Sequence, residues 1–472
     1  MSSAPPTAHP RRWHTLGLLG LAQFMLILDV TVVAIALPHM RADLGLGRDA
    51  LTWVVSAYTL TFGGLMLLGG RAADLFGPRR VVVAGLVVFT AASLVTGLAT
   101  GAEMAIGGRI AQGVGAAMLS PAALSVVVRL FEGDERNRAL GIWSALGAGG
   151  AAIGVLLGGL LTSGLGWSWV FLINVPIGVV VVVVLVRLLP PLPAWDSTGR
   201  LDVIGALLVT TSTGLVILGF IEAGDRGWTS GRTAVLVGAG IVGYGVLAGW
   251  LRRARHPLID PALVSRRPVL AGTFVLFVAT GLMVAVFFLG TFYLQGAAGH
   301  GPLTTGVLFL PVAVATMAGA QVAGRLVGRL GARVVGVTGL LVAAAGMLGP
   351  AVSLGTVTTV AAVSVGAAGL GALFVVASVA ALSQVEPQHA GVASGILTTF
   401  HEIGASLGAA VMSGVAAASL VAGTESGFEQ AYLVAAVVAA VAAIVTAALV
   451  PGRPAVSISS ANPTATTQEV SS

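Results

Sequence analysis

The sequence predicts an all-α integral membrane protein with fourteen transmembrane helices, on three observations. The 472-residue chain is 56% hydrophobic and 9% charged, with mean hydropathy +0.99. Soluble domains carry about 25% charged residues and would aggregate if they exposed this much apolar surface. Polar breaks divide the chain into runs of roughly the 20 apolar residues that cross a bilayer. Finally, with both termini in the cytoplasm, nineteen Arg fall on the inner side and four (Arg41, Arg48, Arg226 and Arg232) on the outer side, with Arg109 inside a span. That asymmetry is the positive-inside rule, and one missed helix would scramble it.

In chain order, a cytoplasmic tail covers 1–14, and runs at 15–37, 51–70, 80–99, 104–128, 139–162 and 168–188 form a six-helix bundle over 15–190. The first run is too long for a cleavable signal and is interrupted by Asp29. Two inserted spans, 202–222 and 233–251, occupy 200–252. Runs at 270–292, 303–324, 334–352, 357–382, 391–420 and 430–450 form a second six-helix bundle over 268–450, and the Ser- and Thr-rich tail 451–472 predicts disorder. The bundles echo each other. Gly70-Arg71 with Gly77-Pro78-Arg79 returns 254 residues later as Gly324-Arg325 with Gly331-Ala332-Arg333, and Arg138-Ala139 returns 251 later as His389-Ala390. Repeated halves with a site between them are a transporter plan.

The composition also excludes chemistries. Without Cys there is no disulfide, thiolate metal site or Cys nucleophile. All 24 basic residues are Arg, so a P-loop lacks its phosphate-binding Lys and a pyridoxal enzyme its Schiff-base Lys. No metal-ligand spacing links His39, His256, His300 and His389, and no loop is long enough for a soluble catalytic domain. The net charge of +6 follows from topology rather than from nucleic-acid binding. The expected partners are the bilayer, protons and an amphipathic small molecule, with no cofactor, no metal and a monomeric assembly.

The loop after the second run reads Gly70-Arg71-Ala72-Ala73-Asp74-Leu75-Phe76-Gly77-Pro78-Arg79-Arg80. A tight turn at Gly77-Pro78 is expected to bring Asp74 near Arg79 and Arg80 at the cytoplasmic surface. An acid there can pair with Arg or cap a facing helix, forming when an inner gate closes and breaking when it opens. Ordinary topology accounts equally for the Arg residues, though poorly for Asp74. The segment resembles the loop 2–3 signature of the major facilitator superfamily, matching it at Gly70, Asp74, Gly77 and Arg79; Leu75 and Pro78 replace two basic positions. Leu28-Asp29-Val30-Thr31-Val32-Val33 through Ala36-Leu37-Pro38 resembles the first-span motif of the fourteen-span drug:proton antiporters of that superfamily. Arg109-Ile110-Ala111-Gln112-Gly113-Val114-Gly115 resembles the span-four motif, and Trp167 to Gly178 the start of span six. The resemblance covers nearly the whole chain and implies the major facilitator fold.

Span five carries Gly141, Gly150, Gly154, Gly158 and Gly159 at a spacing that resembles the antiporter motif, with Val155 where that motif has Pro. Gly150, Gly154 and Gly158 make a bare stripe against which another helix can pack closely and slide; by spacing alone it serves equally as a static contact.

Three ionisable residues fall within spans, where each costs at least about 3 kcal/mol and marks a functional hypothesis. At ~1.5 Å per residue, Asp29 lies roughly 13 Å, Arg109 roughly 9 Å and Glu402 roughly 12 Å from the outer face, so one cavity is expected to hold all three. Asp29 is the candidate proton and cation site, since burial and a nearby cation push a carboxyl pKa in opposite directions; the alternative is a structural hydrogen bond. The resemblance implies that Asp29 recognises cations and couples them, and that Arg109 tunes proton transfer. Arg109 otherwise serves as a buried partner of Asp29. Glu402 is either a substrate-facing acid or a residue lining a water pocket. Gln112, one turn from Arg109, faces the same cavity, and Phe24, Met25, Trp53, Tyr58, Phe287 and Phe288 are candidates for an apolar lining. Glu222 and Asp225 fall at the outer interface. The expected function is proton-coupled export of amphipathic drugs, antibiotics or secondary metabolites across a bacterial cytoplasmic membrane. The alternatives are a proton-coupled symporter or facilitator for a small metabolite and, from another class, a membrane enzyme or sensor.

Overall fold

The computed structural model describes residues 11–131, 133–189, 192, 194, 201–255, 257, 262, 265–382, 390–422 and 425–450. Among them all regular secondary structure is helical. The first half comprises α1 (Arg12–Leu44), α2 (Arg48–Phe76), α3 (Pro78–Gly97), α4 (Ala102–Leu130), α5 (Gly133–Gly164), α6 (Trp169–Leu172) and α7 (Asn174–Leu188). The insert is α8 (Val203–Arg226) and α9 (Gly231–Leu251). The second half comprises α10 (Arg267–Phe292), α11 (Pro302–Leu308), α12 (Leu310–Leu330), α13 (Ala332–Val352), α14 (Thr356–Leu382), α15 (Ala390–Val415), α16 (Ala417–Ala422) and α17 (Ser426–Leu449). The expected disordered tail over 451–472 and the repeat residue His389 lie outside the described residues.

Among the described residues, twelve helical segments are long and apolar enough to cross a membrane. Helices α5 and α15 stand where the fifth and thirteenth runs lie. Boundaries depart from the apolar runs where backbone chemistry intervenes. Helix α1 starts at Arg12 and continues through Pro38 to Leu44, ending where Gly45 turns left-handed at φ 62. Arg41 is thereby drawn into the helix. Over the sixth apolar run the helix breaks after Leu172 and over the tenth after Leu308, while the helix over the ninth run ends in a π-turn over Tyr293–Ala297. Such irregularities persist in a bilayer only where neighbouring helices satisfy the freed backbone groups.

The repeat in the sequence has a geometric counterpart. Helix α2 passes into α3 through Gly77 at φ 87, and α12 passes into α13 through Gly331, also at φ 87. Arg79 donates to the Val186 carbonyl at the end of α7, at 2.7 Å; Arg333 donates to the Val450 carbonyl just past α17, at 2.8 Å. In both halves a turn Arg therefore caps the last carbonyls of that half's final helix, where the helix dipole favours a cation. Arg79, expected near Asp74, is thereby engaged at the end of its own half's last helix. Arg80 is exposed.

The halves meet where α2 packs on α15 and α5 on α11. The insert lies against this seam. Helix α8 packs on both α2 and α15, with Thr210 against Gly64 and the Phe220 carbonyl against Gly414. Helix α9 packs on α8 and leaves Val235 and Ile241 exposed at 70% and 62%, a face suited to lipid.

Gly77 combines a positive φ with a position where an added Cβ would meet the Leu192 carbonyl at 2.8 Å. Gly77→Ala is expected to cost about 1–3 kcal/mol, read as a lower thermal-unfolding midpoint in detergent. Gly47→Ala, at φ −66 with open space around it, is expected to leave the midpoint unchanged.

Candidate functional site

Small residues on α4 set the site. Gly113 lets α4 approach the Tyr58 carbonyl of α2, and Gly108 lets it approach Thr96 of α3. At that spacing the long side chains of Arg109 and Gln112, one turn apart, reach across to α1. Arg109 Nη1 is ion-paired with Asp29 Oδ2, and both residues are 1% exposed. Its Nε donates to the Val54 carbonyl at 2.9 Å, and its guanidinium carbon lies 4.2 Å from the centre of the Tyr58 ring. Gln112 Nε2 donates to Asp29 Oδ1 at 3.0 Å and to Ser93 Oγ at 2.8 Å, while its Oε1 accepts from Arg109 Nη1 at 3.1 Å. Asn174 Nδ2, from α7, reaches Ser93 Oγ at 3.5 Å.

This network binds five helices through one carboxylate. Two buried charges in hydrocarbon are tolerated only when paired and hydrogen-bonded on their remaining atoms. Here each carboxylate oxygen has its own donor. Stacking on Tyr58 adds a cation–π contact worth about 2 kcal/mol when desolvated. Phe24 and Met25 line, together with Asp29, a cavity of about 130 Å³ between α1, α5 and α7.

Glu402 is neither hydrogen-bonded nor ion-paired to Asp29 or Arg109. It lies on α15, where its Cβ faces Gly63 of α2 so closely that a Cβ on Gly63 would meet it at 2.6 Å. His401 Nε2 is 3.8 Å from its Oε1. Helix α2 carries contacts to both, since the Tyr58 ring stacks on Arg109 and Gly63 faces Glu402. The remaining aromatic candidates divide differently. Phe287 and Phe288 are packed in an apolar core that runs across both halves, against Phe309 and Phe292 at 5.2 and 5.0 Å between ring centres. Trp53 packs beside α8 with Leu60 and Ile217. The α5 glycines face two partners: Gly154 and Gly158 lie on α1 at Thr31 and Val32, whereas Gly159 lies on Pro302 and Leu303 of the other half. Gly141 and Gly150 share the helix but lie outside the residues whose packing is described.

Sequence reasoning missed a second cluster at the far end of the seam. Arg48 is ion-paired with Asp225 of α8 at 2.6 Å and donates to the Ile221 carbonyl at 2.7 Å and the Ser413 carbonyl of α15 at 3.3 Å. Arg41 donates to the Leu420 carbonyl of α16. Deeper along the same seam, Thr52 bonds Ser413 Oγ and Thr59 bonds Ser406 Oγ, each at 2.5 Å. Arg41 and Arg48 are two of the four Arg placed against the positive-inside trend. That exception is the available signal, because a cation that breaks the charge pattern needs a local partner. Ser93 and Asn174 gave less warning, as single polar residues in apolar runs.

Removing Arg109 would strand a buried carboxylate. Arg109→Ala is expected to destabilise the protein by about 3–5 kcal/mol, and adding Asp29→Asn is expected to recover part of that loss. The double-mutant cycle, followed by thermal unfolding, measures the coupling. The second cluster yields a conformational prediction. The chain has no native Cys, so spin labels at Gly47→Cys and Gly301→Cys, both in open space, report the separation of the halves. Asp225→Asn is expected to shift the distance distribution toward longer separations.

A model of the Major Facilitator Superfamily matches residues 19–409. The chain is 38% identical over 421 residues to the puromycin resistance protein of Streptomyces alboniger, covering 86% of this chain and 82% of that one. It is 36% identical over 408 residues to the cephamycin export protein of Amycolatopsis lactamdurans, covering 82% and 81%. Among solved structures, an inward-facing bacterial homolog of the lysosomal transporter Spinster superposes with TM-score 0.66 at 17% identity, covering 93% of this chain and 98% of that one. The fold, the ordered motifs and these matches lead to one assignment: the chain is a multi-pass membrane transporter belonging to the Major Facilitator Superfamily, and not an enzyme.

Proposed function

We infer that the protein is a proton-coupled antiporter of the fourteen-span drug:proton branch, exporting amphipathic drugs, antibiotics or secondary metabolites by alternating access. The observation that carries this reading is the buried Asp29–Arg109 pair, held by Gln112 in the first half of the transporter. The relatives named for puromycin resistance and cephamycin export support the substrate class. Support for fourteen spans comes from the twelve apolar segments among the described residues, with α5 and α15 filling the fifth and thirteenth runs. The proposed setting is a bacterial cytoplasmic membrane with both termini inside. In that frame the hydrogen-bonded end of the seam, around Arg48 and Ser413, is the outer end, and the conformation is inward-facing. The proposed working unit is a monomer without cofactor.

The coupling follows from competition for one carboxylate. A proton delivered to Asp29 neutralises it and breaks the pair, while Arg109 keeps the Val54 carbonyl, Gln112 and the Tyr58 ring as partners. A lipophilic cation reaching the ionised carboxylate instead takes the place of Arg109. Proton and cation exclude each other at the site, which is the requirement for exchange. The α5 glycines, in contact with both α1 and α11, give the two halves a smooth bearing on which to rock. One proton crossing a total potential of about 150 mV supplies ~3.5 kcal/mol, enough for a gradient of a few hundred-fold.

Proteoliposomes with an acidic interior provide the test. On addition of amphipathic cations outside, the internal pH is expected to rise through substrate-dependent proton efflux, and Asp29→Asn is expected to abolish the response. Proton flux unchanged in Asp29→Asn would move coupling to Glu402. Solute accumulating together with protons would replace antiport with symport.

A further inference from the structure

We propose that His401 is a proton carrier in the second half: Thr280 fixes its tautomer so that Nε2 takes the proton of Glu402 and passes it to the space between the halves. The inference rests on the proton-coupled reading above and adds to it a second proton-handling site, separate from the Asp29–Arg109 pair. Its starting point is Thr280 on α10, which is buried. The Thr280 hydroxyl donates to the Leu276 carbonyl at 2.8 Å, and its oxygen lies 3.0 Å from His401 Nδ1. A hydroxyl has one proton. With that proton on the Leu276 carbonyl, Oγ1 accepts from Nδ1, which therefore carries the ring hydrogen. The neutral imidazole is left with a bare Nε2, and this nitrogen stands 3.8 Å from Glu402 Oε1. The Phe374 ring of α14, 5.8 Å from the imidazole centre, backs the His401 ring.

Helix rotation gives the two residues different outlooks. Helix α15 meets α10 through Gly404 and Gly408, and meets α2 through Glu402 and Ser406. Successive residues are turned by about 100°, so His401 falls on the arc between those contacts and faces the space between the halves. Side-chain exposure agrees, at 35% for His401 and 8% for Glu402. A bare Nε2 and an ionised carboxylate repel each other. A proton on Oε1 makes Glu402 a donor to Nε2 and removes a charge that is costly in hydrocarbon. In the transfer the Oε1–H bond breaks as the Nε2–H bond forms, leaving carboxylate and imidazolium. Water between the halves then takes the proton from Nε2, and His401 returns to its neutral Nδ1–H form. On the helices packed around the pair, titratable groups point to other partners. Arg267 of α10 bonds the Ala448 and Leu449 carbonyls, Glu222 and Asp225 of α8 bond Arg226 and Arg48, Tyr244 of α9 bonds Thr213, and Tyr58 of α2 lies on Arg109. Arg71 and Asp74 lie well beyond Gly63 toward the end of α2, Glu429 is in the first turn of α17, and Tyr432 stands beside Gly290 of α10. Helix α14 carries no titratable side chain.

The test is infrared spectroscopy of the full-length protein, labelled with carbon-13 glutamate in a lipid bilayer and followed through pH. The carbonyl band of a protonated glutamic acid that disappears in Glu402→Gln belongs to Glu402. Thr280→Val frees the imidazole to carry its hydrogen on Nε2, where it donates to the carboxylate and favours the ionised form. The Glu402 band is then expected to vanish about one pH unit or more below the wild-type midpoint, while Thr280→Ser, which keeps the hydroxyl, leaves it unmoved. After a pH jump, His401→Phe is expected to slow the loss of the band about tenfold or more. Nuclear magnetic resonance of isotope-labelled histidine gives an independent check that needs no Thr280 variant to fold. The neutral wild-type His401 signals, identified by their loss in His401→Gln, are expected to show the hydrogen on Nδ1. Hydrogen on Nε2 in the wild type, absence of a Glu402 band, a Thr280→Val midpoint at or above the wild type's, or an unchanged rate in His401→Phe would overturn the relay. None of these readings involves transport, so the export reading is judged separately by proton efflux in Asp29→Asn.

Discussion

A carboxylate and a guanidinium, both shut away from water inside a bilayer, constrain the first half of this transporter. Asp29 and Arg109 are each 1% exposed, and in that setting neither charge is tolerable alone. The surrounding polar groups act as a set: Gln112 serves the second carboxylate oxygen, Ser93 and Asn174 orient Gln112, and the Val54 carbonyl and Tyr58 ring hold the rest of the guanidinium. Because these groups come from five helices, the pair fixes how α1, α2, α3, α4 and α7 sit together. It also makes the half responsive to any event that changes the charge of one atom group.

The remaining packing is built for close approach instead of polar bonding. In lipid there is little hydrophobic drive between helices, so contact area comes from small side chains. Gly113 against Tyr58, Gly63 against Glu402 and Gly158 against Val32 bring backbones together at points where a β-carbon would collide. The inserted pair α8 and α9 extends this logic. Helix α8 covers the junction of α2 and α15 and lends Asp225 to Arg48, so the insert fastens one end of the seam as well as shielding its flank from lipid.

Alternating access requires the seam to be strong at one end at a time. Among the described residues, the hydrogen bonds of Arg41, Arg48, Thr52 and Thr59 to the second half run from one end of the seam to the middle of α2. They form a discrete set that exchange of conformation must break together. The turn Arg residues behave differently. Arg79 and Arg333 are each bound within their own half to the end of its last helix. They stiffen the halves as rigid bodies and leave the motion to the seam.

Helical class, the approximate place of the twelve apolar segments found among the described residues and the repeated turn were legible in the sequence, because bilayer thickness acts on composition and spacing alone. The same physics flagged Asp29, Arg109 and Glu402, since ionisable groups in an apolar run are rare enough to stand out. Only the tertiary structure decided how they associate. Depth along the membrane normal places all three at one level, but their contacts differ: Asp29 and Arg109 are ion-paired, while Glu402 stands on the α15 face against Gly63. Helical rotation likewise buried Phe287 and Phe288 among aromatic neighbours and turned Arg79 toward Val186. A one-dimensional pattern fixes depth and face within a helix; which faces meet depends on inter-helix contacts between residues hundreds of positions apart, such as Arg48 with Ser413.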